Sequence, residues 1–145
     1  MCGIAGVLVF NNQTIDKDKA QRMNDVMAHR GPDGEGAWFN TSNKVALLHR
    51  RLSIIDLSNA AAQPMKSDDD NFVIVFNGEI YNYIEIKNEL IAHGVNFHSN
   101  SDTEVLIKAY LYWGESCLSH LNGMFAFAVY DIKKDELFCA RDRFG

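Results

Sequence analysis

At 145 residues, 47% hydrophobic and 23% charged, the chain is sized and composed for a single globular domain, residues 1–145, with a substantial core. Its formal net charge of −5, with no block of five like charges, excludes the basic surface by which nucleic acid is bound. Three cysteines, Cys2, Cys117 and Cys139, are too few and too odd in number for a disulfide scaffold and include no close pair for zinc, which places the chain in a reducing, cytoplasmic setting.

Residues 2–10 are apolar almost throughout and read as a buried strand. No basic region precedes them and the chain turns polar at Asn11-Asn12-Gln13, so this is not a signal peptide. No apolar run approaches the roughly eighteen residues of a membrane span. Asp16 caps a helix whose apolar face carries Ala20, Met23 and Met27. His29-Arg30-Gly31-Pro32-Asp33-Gly34-Glu35-Gly36 is expected to be a loop. Residues 45–55 and 72–76 read as extended, the second run ending in a sharp turn at Asn77-Gly78. A helix follows with Tyr83, Ile86 and Leu90 on one face and Gly94 past its end. A short extended piece at 95–98 leads to Ser101-Asp102-Thr103-Glu104, a capping-box pattern that opens a helix lined by Val105, Leu106, Ala109 and Trp113. Residues 124–131 read as a buried strand, with 137–140 returning as its hairpin partner after Lys133-Lys134-Asp135. The sum is an α+β pattern, antiparallel sheet covered by helices, without internal repeats.

Five places carry candidate chemistry. If the initiator Met1 is trimmed, Cys2 presents a thiol and a free α-amine on one residue. A thiol with a pKa near ~8.5 and an amine near ~8 can serve as nucleophile and general base together. Arg51 offers a planar fork that matches a carboxylate, or an ordinary surface ion pair. Asn77-Gly78 could aim a side-chain amide and a backbone N–H at one oxyanion, or simply make a hairpin turn. Glu79 and Asp102 are acids beside helix starts, where the helix dipole alone would favour them. No phosphate-binding loop and no metal-ligand spacing is present in the sequence.

Taken together, the motifs resemble the class II glutamine amidotransferases, and among them the glutaminase domain of glutamine-hydrolysing asparagine synthetases. They are Met1-Cys2-Gly3-Ile4-Ala5-Gly6, His29-Arg30-Gly31-Pro32-Asp33-Gly34, Arg51-Leu52-Ser53-Ile54-Ile55-Asp56, Gln63-Pro64-Met65 and Asn77-Gly78-Glu79-Ile80-Tyr81-Asn82. Ser101-Asp102-Thr103-Glu104-Val105, Gly123-Met124-Phe125-Ala126-Phe127-Ala128 and Arg141-Asp142-Arg143-Phe144-Gly145 complete the set, in order along the whole chain.

The resemblance implies an N-terminal-nucleophile hydrolase sandwich, two antiparallel sheets between helix layers. It implies that Cys2 attacks the side-chain amide of L-glutamine, with the Asn77 side chain and Gly78 N–H on the oxyanion. Arg51 would take the α-carboxylate, Asp102 the α-ammonium with Glu79 beside it, and the backbone of Leu52, Ser53, Ile54 and Ile55 would line the pocket. His49 and Arg50 are expected to be exposed and without a catalytic role. The glutaminase step needs no cofactor or metal. In the family the domain runs on past the closing motif, so the fold is expected to be incomplete here. A synthetase domain follows in the family, and ATP and magnesium belong to it, as does the amide formation, asparagine from aspartate or an amide on another acceptor. A catalytically silent module of the same fold is the alternative, and a second copy of the chain is kept open as a partner.

Overall fold

A computed structural model describes residues 2–145, and the expected removal of Met1 lies outside them. Seven strands and three α-helices are present among the described residues. Strands β1 (Gly3–Leu8), β2 (Gly34–Phe39) and β3 (Val45–Arg51) form one antiparallel sheet in the order β1-β3-β2. Strands β4 (Met65–Lys66), β5 (Phe72–Ile80), β6 (Gly123–Asp131) and β7 (Glu136–Arg141) form the second, in sequence order and antiparallel throughout.

Three apolar clusters fill the spaces between four layers. Ala46 and Leu48 of β3 pack with Ala20 of α1 (Lys17–Val26). Val45 and Leu47, on the other face of β3, meet Val73 and Val75 of β5. Ile74 and Phe76, alternating with those on β5, pack with α2 (Tyr83–Ala92) and α3 (Asp102–Trp113). The order is therefore helix, sheet, sheet, helices. This explains why β3 and β5 read as unbroken apolar runs: both faces of each are buried, so the usual in–out alternation disappears. No helix is long and apolar enough to cross a membrane among the described residues.

Local expectations hold where the signal is local. Asp16 caps α1 through the N–H groups of Asp18 and Lys19, and Gly94 follows α2 with φ 87°. They fail where long-range pairing takes over. Residues 34–36, expected in a loop, belong to β2 and pair with Arg51, Arg50 and His49. Asn77-Gly78 makes no turn; β5 runs through it, opposite Ala126 and Phe125, to Ile80. A full ladder outweighs the turn preference of the dipeptide. Residues 52–55 leave the sheet, although 45–55 was expected to be extended throughout. Residues 95–98 form no strand, because Glu104 rather than a neighbouring strand takes the N–H groups of His98 and Ser99. That diverts Glu104 from the return arm of a capping box; Ser101 Oγ caps α3 alone, accepting from Thr103 N. Glu104 is also paired with Lys108 at 2.9 Å, both buried.

Candidate active site

The hydrogen-bonding edge of β5 generates the site. In an antiparallel strand, successive N–H groups point to opposite neighbours. On β5 the odd positions face β6, as the continuing bond from Tyr81 N to Asn122 O shows. The even positions face β4, as the bond from Ser67 N to Phe72 O shows. Since β4 covers only Met65–Lys66, the N–H groups of Phe76, Gly78 and Ile80 lie beyond it. Gln63 Oε1 accepts from Phe76 N at 2.6 Å, and Asp102 Oδ2 accepts from Ile80 N at 3.2 Å. Gly78 lies between them and lines an open cleft, its N–H on the edge that faces it. Glycine is required there by a close approach: a Cβ at Gly78 would sit 2.2 Å from the Met124 carbonyl oxygen.

Cys2, Arg51, residues 52–56, Gln63, Glu79 and Asp102 line the same cleft. Cys2 immediately precedes β1, and the pairing of Gly3 with Arg50 continues to place it opposite Arg51. The thiol is bracketed by one backbone unit: Leu52 N–H donates to Sγ at 3.3 Å, and Sγ–H points to the Leu52 carbonyl at 3.6 Å. Arg51 donates through Nη1 to the Ser58 carbonyl at 2.9 Å and through Nη2 to the Asp56 carbonyl. A guanidinium has five N–H groups, so capacity for an incoming carboxylate remains. Asp56 in turn accepts from Ser58 N and Asn100 N, and Asp33 accepts from Ser53 N at 2.9 Å. The segment 52–58 is thus held mainly by side-chain-to-backbone bonds.

Asp102, 6% exposed, opens α3, and burial pushes its carboxyl up to about 6, helped by the Glu79 charge and opposed by the Ile80 N–H. A carboxylate so placed gains most from a cation brought into the cleft. Glu79 itself is exposed at the cleft.

The structure therefore brings together Cys2, Arg51, Leu52, Ser53, Ile54, Ile55, Gly78, Glu79 and Asp102. Asn77 stands apart: its side chain lies on the inter-sheet face of β5, following Val73 and Val75, and its Oδ1 is buried without a hydrogen-bond partner among the described residues. It faces the sheet whose inner face carries Cys2 and Arg51. His49 and Arg50 are not exposed as expected. His49 is fully buried between the sheets beside the Phe76 backbone, neither ring nitrogen makes a well-formed hydrogen bond among the described residues, and burial holds its pKa down at about 4, so it is neutral. Arg50 faces α1, pairing with Asp25 at 2.5 Å and Glu35 at 2.7 Å, because even positions of β3 point that way. Sequence reasoning gave no role to Gln63; its signal was its place in Gln63-Pro64-Met65, which says nothing about long-range partners.

A model of the glutamine amidotransferase domain family matches residues 1–145. Glutamine-hydrolysing asparagine synthetase 3 of Bacillus subtilis (strain 168) is 43% identical over 148 residues, covering the whole chain and 24% of that protein. Asparagine synthetase B of Escherichia coli (strain K12) is 39% identical over the whole chain and 26% of its own length, and the amidase chry2 of Gibberella zeae is 39% identical over the whole chain and 23% of its length. The chain thus spans about a quarter of these curated relatives. Among solved structures, the glutamine phosphoribosylpyrophosphate amidotransferase of B. subtilis, complexed with ADP and GMP, superposes with a TM-score of 0.58 at 27% identity, over 69% of this chain and 23% of that one. The two facing antiparallel sheets between helix layers are the N-terminal-nucleophile hydrolase sandwich, and the chain belongs to the glutamine amidotransferase domain family.

Proposed function

We propose that this domain hydrolyses L-glutamine to glutamate and ammonia through a thioester on Cys2, as the glutaminase half of an asparagine-synthetase-like amidotransferase. What supports the reading is one juxtaposition: the Gly78 N–H edge, the Cys2 thiol, Arg51 and Asp102 share a single cleft. An amino acid carries an α-carboxylate and an α-ammonium, for which an arginine fork and a buried acid are complementary. A glutamine side chain within a protein lacks both charges.

After removal of Met1, the Cys2 α-amine takes the thiol proton and the sulfur bonds to the amide carbon. The oxyanion formed is held by the Gly78 N–H; the Asn77 amide, which lies on the inter-sheet face, would have to turn toward the cleft to add a second donor. The C–N bond then breaks, the protonated amine returns its proton to the leaving nitrogen, and ammonia departs. Water attacks the thioester, releasing glutamate and the thiol. The step draws on no cofactor. ATP and magnesium belong to a synthetase domain of the longer protein, which would use the ammonia to make asparagine from aspartate. The similarity to an amidase and to a phosphoribosylpyrophosphate amidotransferase keeps other acceptors in view. A reducing, cytoplasmic setting suits a nucleophile that must stay a free thiol.

The test is glutamate release by the full-length protein, with intact mass confirming that Met1 is gone. Cys2→Ala should reduce release more than about 10³-fold. Arg51→Ala should raise KM for glutamine, since the contact exists before and during the chemistry. Equal release by a folded, methionine-free wild type and by Cys2→Ala would leave a silent module of the same fold.

A further inference from the structure

Two side chains tie β5 to α3 at the cleft: Asp102, through Ile80 N on one side of Gly78, and, on the other side, Gln63. It is 8% exposed and spends both ends of its amide. Oε1 accepts from Phe76 N at 2.6 Å; Nε2 donates to Thr103 Oγ1 at 3.1 Å. Phe76 precedes Asn77-Gly78 on β5, and Thr103 follows Asp102 on α3. Gln63 thus substitutes for the missing length of β4 on the N–H two residues before Gly78, and anchors the helix turn that carries Asp102. Its own backbone is fixed from the other side: a Cβ at Gly36 would lie 1.9 Å from the Gln63 carbonyl oxygen, so β2 packs directly on it.

We propose that Gln63 is a positioning residue that sets the distance between the oxyanion end of the cleft at Gly78 and the ammonium end at Asp102, and thereby selects the length of the amide substrate. This rests on the glutaminase reading. Glutamine and asparagine share both head-group charges and differ by one methylene, so only the spacing between the two ends can separate them. A misplacement of roughly 1 Å costs about 10²-fold in rate, while loss of a head-group charge contact would weaken both substrates alike.

The experiment compares wild type, Gln63→Met and Thr103→Val in the full-length protein, measuring kcat and KM for glutamine and for asparagine hydrolysis together with thermal melting. Gln63→Met keeps the side-chain length and removes both bonds; Thr103→Val keeps the shape and removes only the acceptor on α3. Gln63→Met should lower kcat/KM for glutamine about 10- to 100-fold, with part of the loss in kcat, and should shrink the preference for glutamine over asparagine. Thr103→Val should do the same more weakly, and in the double variant it should add little, as for two members of one clamp. A lower melting temperature with unchanged kcat, KM and substrate preference overturns the proposal, as do additive effects in the double variant. Should Gln63→Met fail to fold, the substrate preference of Thr103→Val decides. A folded, methionine-free wild type that releases no glutamate overturns the glutaminase reading itself, a result distinct from any ratio between variants.

Discussion

The two walls of the cleft are built in opposite ways. One wall is the β5 edge and the first turn of α3, where Phe76 is 2% and Thr103 3% exposed and the N–H groups of Phe76 and Ile80, on either side of Gly78, are taken by Gln63 and Asp102. The other is the segment 52–58, which has left the sheet, carries Ile54 at 64% and Leu57 at 76% exposure, and is held by Arg51, Asp56 and Asp33. Few buried apolar contacts and solvent-exposed bonds place a segment at the low end of local stability. On the glutaminase reading, the first wall would hold the reacting groups and the second would be the easier of the two to displace.

Substitutions on the buried wall should therefore cost most. Gly78→Ala drives a Cβ into the Met124 carbonyl. It should lower kcat for glutamate release by about 10²-fold or more and destabilise by roughly 1–3 kcal/mol, read from stopped assays and a denaturant midpoint. An alanine variant with wild-type kcat would place the oxyanion elsewhere than the β5 edge.

Asp102→Asn should raise KM for glutamine by roughly 10- to 100-fold, the cost of removing one partner from a buried charge pair. It should also stabilise the protein. With the carboxyl raised to about 6 from 3.8, the folded state holds its proton more tightly than the unfolded state, so the ionised form is a burden above that pH. The variant's gain should be about 3 kcal/mol at pH 7 and above, shrink as pH falls through 6, and vanish below about 4. In the wild type, kcat/KM for glutamine should fall as pH drops through about 6, as the ammonium partner is neutralised. Melting curves and rates across pH 4–8 check both; a gain that persists at pH 4 would have a cause other than titration.

Asp56→Ala, on the exposed wall, loses bonds to Ser58 N and Asn100 N. It should raise KM by a few-fold, since two exposed bonds that hold the cleft-lining segment are lost, and leave kcat alone. An effect as large as that of Gly78→Ala would dissolve the distinction between the walls.

Cys2, Arg51, Gly78 and Asp102 were legible as a set because each sits in a motif of the family, and the set meets in one cleft. Their surroundings were not. Asn77-Gly78 carries a strong local turn signal, yet nine residues of pairing with β6 override it. His49 sits in a polar-looking His-Arg-Arg run, yet strand parity alone sends it between the sheets and Arg50 to α1. Gln63 joins residues 13 and 40 positions away, a relation no window of sequence contains.

By itself the sequence determined what depends on neighbours along the chain: helix caps at Asp16 and Ser101, the apolar runs, and the motifs that make Cys2, Arg51 and Asp102 candidates. The tertiary structure alone decided which strand edge stays open. That choice depends on β4 beginning only at Met65, opposite Ile74, while β5 continues to Ile80, and on the side chains of Gln63 and Asp102 satisfying the N–H groups on either side of Gly78. Hydrogen-bond partners are assigned by proximity in space, and the donor left over at the cleft is set by all the others at once.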